Sequence, residues 1–438
     1  MKQYESYKDS GTPWIGQIPS HWEVKRGKFT TAILAGFAFN SDNFTTDEGY
    51  MPLIRIRDIN SPTTEMNYNG DYPEAYVIRK GDILIGMDGD FNVAEWCGED
   101  ALLNQRVCKI EDTKKMSSKF AYYLLPRPLQ LLNDVCYATT VKHLSTYDVM
   151  GLFLPIPPLD EQTAIVEYLD KKCGSIDKVI ATQERRIERL GELKQSIITE
   201  AVTRGINPNV PLKDSGIEWI GKIPEHWDLI QLKFAANKAN CCFIDGDWIE
   251  STDISEEGIR YITTGNVGVL EYKEQGNSFI SEDTFERLNC TEVFPGDILI
   301  SRLNEPIGRS CILPDLGIRV VTSVDNVIFR PNKDLYDKRF LVYYLNCSIF
   351  TEHANLEARG STMHRMSRTM LGHQQTIVPP IAEQTAIAEY LDRKCARIDA
   401  AIAKAKREVE LLREFKQSVI TEAVTGKIKV CKSQHLQL

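Results

Sequence analysis

Apolar residues recur every three or four positions through two long segments of the chain, residues 157–206 and 379–428. This spacing predicts an amphipathic helix in each segment. Each segment opens with a Pro-Pro pair and approaches its end at a glycine, Gly205 or Gly426, which is typical of helix starts and ends. We therefore predict two helices of about 45 residues, each roughly 65 Å long.

The two helical segments are copies of one another. Aligned residue by residue, 31 of their 50 positions are identical. A shorter phrase is also repeated, because residues 9–22 (DSGTPWIGQIPSHW) and 214–227 (DSGIEWIGKIPEHW) agree at 10 of 14 positions. The stretches between the repeats agree poorly. An internal repeat fixes the architecture, so we expect two globular units, each followed by one long helix.

The apolar stripe has a repeat near 3.5 residues, which favours coiled-coil packing. The two stripes align, with Ile187 opposite Val409 in the alignment and Leu190 opposite Leu412. We predict that the helices pair with each other, antiparallel, within one chain. The alternative is that each helix packs only on its own globular unit. The residues predicted to pair are Leu169, Ile176, Ile187, Leu190, Leu391, Ile398, Val409 and Leu412.

Identity between the helical segments extends to polar positions that a two-helix seam does not need, as in the shared stretches EQTAI, EYLD and ITEAVT. Recent duplication would explain this identity. The variable units share that origin, however, and have diverged. We infer that something meets both copies alike, such as two identical partner subunits.

The variable units contain short apolar runs bounded by Gly, Asp and Asn, which predict strands. The sequence GDILI occurs in both units, at 81–85 and 296–300, and a helix-like segment follows each, at 120–132 and 340–350. The predicted strands are 51–56, 77–78, 82–85 and 106–110 in the first unit, and 261–263, 297–300, 320–321 and 327–329 in the second. The fold class expected is α+β with mixed short-strand sheets.

Charge and composition limit the classes of function that the chain can have. The net charge is −9, whereas a simple nucleic-acid-binding protein is usually basic. Contact with DNA would then depend on local patches or on a partner. No apolar run is long enough to span a membrane, and the first residues lack the apolar region of a secretory signal, so we expect a cytoplasmic protein.

The chains diverge directly after GDILI, at 86–92 and 301–309, and loops after a shared strand commonly carry function. A second variable, basic region precedes each long helix. Arginine suits guanine and asparagine suits adenine, while basic, hydroxyl-rich loops suit phosphates. The alternative is a solvated loop whose arginines neutralise nearby acids. The DNA-binding candidates are Asn92, Asn104, Gln105, Arg106, Lys142, His143, Arg302, Asn304, Arg309, Arg359, His364, Arg365 and Arg368.

Catalytic signatures are missing from the sequence. The chain contains no phosphate-binding P-loop, no G-x-G-x-x-G, no G-x-S-x-G and no H-E-x-x-H. We therefore predict no catalytic residues and no metal ligands, and favour a recognition subunit over an enzyme.

Three repeated motifs together resemble a known family. These are the helix start P-P-[LI]-x-E-Q-T-A-I-x-E-Y-L-D, the opening D-S-G-x-x-W-I-G-x-I-P-x-H-W and the strand GDILI. The chain resembles the specificity (S) subunit of type I restriction–modification systems along essentially its whole length. One departure is Ala382, which stands where the first copy has Asp160.

The resemblance implies two target recognition domains, each of which recognises one half of a bipartite site in double-stranded DNA. It implies that two antiparallel helices set the gap between the half-sites and dock two methyltransferase (M) subunits, with no catalytic activity in this chain. The M subunits would methylate adenine with S-adenosylmethionine, and restriction (R) subunits would add ATP- and Mg²⁺-dependent cleavage.

The expected organisation is a pseudo-twofold repeat. Its parts are recognition domain 1 at 1–156, the central helix at 157–206, recognition domain 2 at 207–378, the distal helix at 379–428 and a tail at 429–438. Two other function classes stay open at this point: a coiled-coil adaptor that binds protein partners, and a stand-alone DNA-acting enzyme.

Overall fold

The computed structural model describes residues 3–135, 143–236, 238–358 and 364–430. These residues form an α+β protein with two sheet-rich domains and a pair of long helices, which confirms the predicted fold class.

Before the first long helix, the described residues form short strands and three α-helices. A four-stranded antiparallel sheet has the order β10-β9-β12-β4, and a mixed five-stranded sheet has the order β5-β7-β6-β11-β8, with β6 and β11 parallel. β1 pairs with β2, and β3 with β13. The elements are β1 (Tyr7–Asp9), β2 (Gln17–Pro19), β3 (Glu23–Arg26), β4 (Ala32–Ala35), β5 (Phe44–Thr45), β6 (Met51–Ile54), β7 (Asn67–Tyr68), β8 (Val77–Ile78), β9 (Ile83–Gly86), β10 (Val93–Glu95), β11 (Ala101–Leu103), β12 (Val107–Glu111), α1 (Ser118–Leu124), α2 (Pro126–Val135), α3 (Thr146–Gly151) and β13 (Phe153–Ile156).

The segment after the first long helix, α4 (Leu159–Arg204), repeats this arrangement. Its sheets have the orders β17-β24-β21-β22, antiparallel, and β18-β20-β19-β23, with β19 and β23 parallel. β14 pairs with β15, and β16 with β25. The elements are β14 (Leu212–Asp214), β15 (Lys222–Pro224), β16 (Asp228–Gln231), β17 (Cys242–Asp245), β18 (Ile254–Ser255), β19 (Ile259–Ile262), β20 (Phe279–Ile280), α5 (Glu282–Leu288), β21 (Ile298–Ser301), β22 (Ser310–Ile312), β23 (Val320–Thr322), β24 (Asn326–Arg330), α6 (Lys338–Leu345), α7 (Ser348–Glu357), α8 (Arg368–His373), β25 (Gln375–Val378) and the last helix, α9 (Ile381–Val424).

The two GDILI copies form equivalent central strands, β9 and β21, and every residue of both strands is buried. Each helix-like segment predicted after them is two helices rather than one. The first is divided at Pro126, whose ring begins α2, because proline lacks the N–H that an uninterrupted helix would need there. The second is divided at Asn346, whose side-chain amide donates to Val342 O at 2.7 Å and to Ser310 O at 2.9 Å.

Both long helices end as the sequence predicts, next to glycines with a positive φ. Gly205 has φ +79° and Gly426 has φ +71°, a backbone conformation that favours glycine. A Cβ on Gly426 would lie 2.3 Å from Pro19 Cδ, so a side chain there would also collide with the WIG-x-IP phrase. The helix ends are therefore fitted to the repeated opening phrase.

The described chain divides into two compact units whose limits fall inside both long helices. The first unit contains residues up to Gln183 and from Arg407 onward; the second is Glu184–Lys406. Each unit therefore holds the first half of one long helix and the second half of the other.

Within the first unit, the helix halves pack in opposite sequence order. Leu169 and Cys173 share a buried cluster with Val419, Ala423 and the WIG-x-IP phrase. Further along α4, Ile176 and Ile180 share a second cluster with Val409 and Leu412. Asp177 accepts from Lys416 Nζ at 2.7 Å. The pairing in this unit is antiparallel, as predicted.

The second unit repeats this pairing with the roles of the helices exchanged. Ile198, Ala201 and Val202 of α4 share a buried cluster with Ile387 and Leu391 of α9. Lys194 Nζ donates to Asp399 at 2.7 Å, an ion pair equivalent to that of Lys416 and Asp177. Of the other residues predicted to pair, Ile398 is buried and Ile187 and Leu190 are half-buried. The helices pair with each other and also pack on their domains.

Candidate nucleic-acid interface

The two variable regions singled out in the sequence lie side by side in the first unit. The loop after β9 forms a β-bridge between Asp88 and His143, and Leu144 N donates to Met87 O at 2.7 Å. The loop that precedes α3 is thus attached to the loop that follows GDILI. Both variable regions therefore belong to one surface.

The second unit builds the same frame. Leu303 bridges Arg365, Asn304 N donates to His364 O at 3.0 Å, and Met366 N donates to Arg302 O at 3.0 Å. Because the backbone pairing is the same while the residues differ, the two units present different chemistry from one scaffold.

In the first unit the exposed side chains form a small charged cluster. His143 Nδ1 lies 2.7 Å from Asp88 Oδ1 and 3.0 Å from Arg106 Nη1, and Arg106 Nε lies 3.9 Å from Asp88 Oδ2. Asn92 and Gln105 are exposed nearby in sequence. Asn104 is buried, and its Oδ1 accepts from Gln105 N at 2.9 Å, so it shapes the turn.

In the second unit the basic candidates are also held by carboxylates. Arg365 Nη2 lies 2.6 Å from Asp325, and Arg368 Nε lies 3.4 Å from Asp245. His364 Nδ1 lies 3.0 Å from Glu305 Oε1.

The side chains of Arg365 and Arg368 are 43% and 42% exposed, so both guanidiniums remain accessible from solvent. Asn304, in the same loop, is exposed with φ +60°.

Equivalent positions of the two interfaces differ in charge. Arg106 O accepts from Met87 N, and Asp325 O accepts from Arg302 N, so Arg106 and Asp325 occupy equivalent places. His143 and Arg365 are equivalent in the same way, as the bridge partners of the loop after GDILI. The first unit therefore has Arg beside His where the second has Asp beside Arg.

Arg302 has a different place from the one expected. It is 4% exposed, and its guanidinium donates to Met366 O at 2.9 Å and lies 2.9 Å from Asp245. Burial lowers the pKa of Arg302, and the nearby Asp245 carboxylate partly opposes this. A guanidinium occupied in this way holds the loop and is not presented to a nucleic acid.

Arg309 is used in the same manner. Its Nε donates to Val267 O at 2.9 Å, its Nη1 to Asn304 O at 2.8 Å and its Nη2 to Thr264 O at 3.0 Å. Burial lowers its pKa as well. Arg302 and Arg309 therefore hold the loop from inside and are not placed to contact bases. The other two candidates, Lys142 and Arg359, lie outside the described residues.

The carboxylates that partner the basic candidates are not among the residues predicted from the sequence. The first, Asp88, is in the loop after GDILI itself, and Glu305 is in the equivalent loop. Asp245 ends β17 and Asp325 lies in the turn before β24, both distant in sequence from the basic candidates, so only the sheet pairing could locate them.

Comparison with known proteins gives the family. The family model described as "Type I restriction modification DNA specificity domain" matches residues 19–190 and 225–411. The chain belongs to this family. The resemblance expected from the repeated motifs is confirmed, and the protein is a DNA-recognition subunit of the type I restriction–modification class.

Named relatives cover most of the chain. The EcoBI specificity subunit of Escherichia coli is 29% identical over 407 residues, which are 90% of this chain and 84% of that protein. The MjaVIII specificity subunit of Methanocaldococcus jannaschii is 26% identical over 425 residues, 94% of each chain. A chain solved for the "structural basis underlying complex assembly" of a type I R-M system shares the fold, with TM-score 0.69, 19% identity and coverage of 94% and 99%.

Many of the polar residues that are identical in the two helices of this specificity subunit form hydrogen bonds within their own unit. Glu161 accepts from Trp22 Nε1 at 3.0 Å and lies 2.6 Å from His21 Nε2. Glu383 does the same with Trp227 at 3.0 Å and His226 at 2.7 Å. Both histidines therefore act structurally, because each positions the carboxylate at the start of a long helix.

The glutamine that follows each of these glutamates is also used internally. Gln162 accepts from Ser117 N and donates to Pro157 O, and Gln384 accepts from Asp337 N and donates to Pro379 O. Tyr123 and Tyr343 donate to the aspartates of the two EYLD stretches, at 2.6 and 2.9 Å. Part of the identity that suggested a partner is thus explained by each helix docking on its own domain.

Among residues 3–135, 143–236, 238–358 and 364–430, no group of three or more His, Cys, Asp or Glu side chains is placed to hold a metal ion. Within those same ranges, no helix is both long and apolar enough to cross a membrane.

Proposed function

We propose that each recognition domain recognises one half of a bipartite site in double-stranded DNA through the paired loops described above. The observation that carries this proposal is one backbone frame with different exposed side chains in the two units. A shared frame places both loops alike, whereas Arg106 beside His143 and Asp325 beside Arg365 offer different donors and acceptors to base edges.

The recognition domains in this proposal are residues 1–156 and 207–378. The proposed contacts are Asn92, Gln105, Arg106, Lys142 and His143 in the first, and Asn304, Arg359, His364, Arg365 and Arg368 in the second. Asn104 contributes by shaping the turn that carries Gln105.

The helices 157–206 and 379–428 would set the gap between half-sites and dock two methyltransferase subunits. A second set of identical polar residues on the helices is mostly exposed to solvent, which supports this role. We call them the shared acidic face: Glu192, Ser196 and Glu200 on α4, and Glu414, Ser418 and Glu422 on α9. Five of the six are exposed and Glu422 is half-buried.

The shared acidic face of α4 borders a groove that is also lined by Gln195, Thr199 and Ser348. The equivalents of the first two in α9, Gln417 and Thr421, are again identical. Carboxylates with amide and hydroxyl neighbours suit a basic protein surface, since charge complementarity favours the correct partner. Two identical faces suit two copies of one partner.

Catalysis in this proposal belongs to the partners. The methyltransferase subunits would methylate adenine with S-adenosylmethionine, and restriction subunits would add ATP- and Mg²⁺-dependent cleavage, in the cytoplasm. This chain would supply no catalytic residue and no metal ligand.

The direct test is to map methylated adenines in host DNA with and without the gene for this chain. We expect a bipartite methylated motif that disappears when the gene is deleted and returns with the complementing gene. Persistence of every methylated motif after deletion would contradict the proposal. So would cleavage or methylation of DNA by the purified chain alone.

A further inference from the structure

Each recognition domain exposes the same Lys-Phe pair on a short turn. Lys28 and Phe29 belong to the 3₁₀ turn Gly27–Phe29, and Lys233 and Phe234 belong to the equivalent turn Leu232–Ala236. Phe29 is 62% exposed and Phe234 is 50% exposed. The lysine Nζ lies over the phenylalanine ring in both, 4.8 and 5.0 Å from the ring centroid.

The turn is joined to the candidate interface by one short helix in each unit. Gly27 N donates to Leu152 O just after α3, and Leu232 N donates to Gln374 O just after α8, both at 2.8 Å. α3 begins three residues after His143, and α8 begins three residues after Arg365. Six helical residues span about 9 Å, so the turn lies on the order of 10 Å from the recognition loop.

This spacing matches the geometry of duplex DNA. The major groove is about 12 Å wide between its two phosphate walls. A cation on the order of 10 Å from a loop that enters the groove is therefore placed near a phosphate that borders it. Neither lysine has a carboxylate within 4 Å among the described residues, in contrast to Arg365 and Arg368.

The Lys-Phe turn has the same two residues in both units, whereas the loops beside it differ, as expected of surfaces that recognise different bases. A contact that both domains need for any target sequence is a phosphate contact, because the DNA backbone is the same everywhere.

We propose that Lys28 and Lys233, each supported by the neighbouring phenylalanine ring, are sequence-independent contacts to the DNA backbone that fix the recognition loops in register. The inference rests on the proposed function, since it requires DNA on the same surface. The ring restrains a flexible ammonium group, which reduces the entropy lost when it meets a phosphate.

The test uses the full chain in complex with its host's methyltransferase subunits, and two duplexes: one containing the mapped motif and one of random sequence. The variant is Lys28→Gln with Lys233→Gln. The matched control is Lys80→Gln with Lys333→Gln, because these exposed lysines lie beyond the opposite ends of β9 and β24 from the recognition loops. Binding is measured as a function of salt concentration.

We expect the slope of log affinity against log salt to decrease by about 0.9 for each lysine removed, equally on both duplexes, while the control keeps the wild-type slope. The methylated motif should stay unchanged. An unchanged slope in the Lys28/Lys233 variant would overturn the inference, as would loss of the methyltransferase subunits, which would mark the turn as a protein contact. A wild-type complex with no affinity for either duplex would overturn the proposed function itself.

Discussion

At the scale of single residues, the basic candidates of the interface that the structure describes are held in charge pairs. Arg106 and His143 pair with Asp88, and Arg365 pairs with Asp325. The sequence left open that the arginines of these loops neutralise nearby acids, and in the structure they do so. Exposed pairs of this kind are weak, at about 0–1 kcal/mol each. They can be exchanged for contacts to DNA at little energetic cost.

Two arginines of the second unit should destabilise the protein to different extents when replaced by alanine. Arg365→Ala removes an exposed pair, so we expect the free energy of unfolding to fall by no more than about 1 kcal/mol. Arg302→Ala leaves the Met366 carbonyl without its donor and Asp245 with only the half-exposed Arg368, and should lower the free energy of unfolding by about 3 kcal/mol. Urea denaturation of both variants measures the difference.

The DNA affinity of the Arg365→Ala variant tests whether this exposed arginine contacts DNA. Arg365→Ala should weaken binding of the methyltransferase complex to its motif while the protein stays folded; a loss confined to the motif would indicate a base contact, and an equal loss on random DNA a phosphate contact. Arg79→Ala, an exposed arginine in an ion pair elsewhere in the first domain, serves as the control. Undiminished binding by Arg365→Ala would remove this residue from the interface.

At the scale of elements, the long helices could be predicted closely from the sequence because several signals agree. The 3.5-residue stripe, the Pro-Pro pairs and Gly205 and Gly426 place α4 and α9 within a few residues of their ends. The strands are harder to predict from the sequence. The GDILI strands were found, but β4 and β17, which pair with β12 and β24, were not, because short strands with partly exposed faces carry little pattern.

The candidate site shows the same limit. The sequence indicated which loops vary, and both loops meet as one surface. It could not show that Arg302 and Arg309 are turned inward to backbone carbonyls, since an arginine in a loop has the same pattern in either orientation. The sheet pairing determines this, and sheet pairing is set by contacts distant in sequence.

The shared acidic face allows a prediction about stoichiometry. Glu192→Ala with Glu200→Ala should remove one of two bound methyltransferase subunits, and Glu414→Ala with Glu422→Ala should remove the other, because each pair belongs to one helix end. Native mass spectrometry of the complex would count the subunits.

Asp160→Ala is a suitable control for this experiment, because it only gives the first helix the residue that the second already has, Ala382. It should leave both subunits bound. Two subunits bound to every variant would show that the shared acidic face is not the docking surface.

At the scale of the whole molecule, the chain is acidic in both proposed recognition domains. Residues 1–156 contain 16 basic and 20 acidic residues, and residues 207–378 contain 17 and 24. Acidic domains oppose nonspecific binding to DNA, since long-range attraction is lacking. Under the proposed function, recognition would then depend on the exposed cations of each candidate interface, on the Lys-Phe turns and on charge supplied by partner subunits.

Exchange of one recognition domain tests whether the two units recognise DNA independently. Residues 1–156 would be replaced by the corresponding residues of the EcoBI relative, with His21 and Trp22 retained because they hold Glu161 at the start of α4. Only the half-site recognised by the first unit should change, since the second unit has its own core and its own helix contacts. Mapping of methylated adenines reads out both halves, and replacement of residues 207–378 should produce the complementary change. A hybrid that methylates the original motif, or one in which both halves change, would show that recognition is not divided between the units.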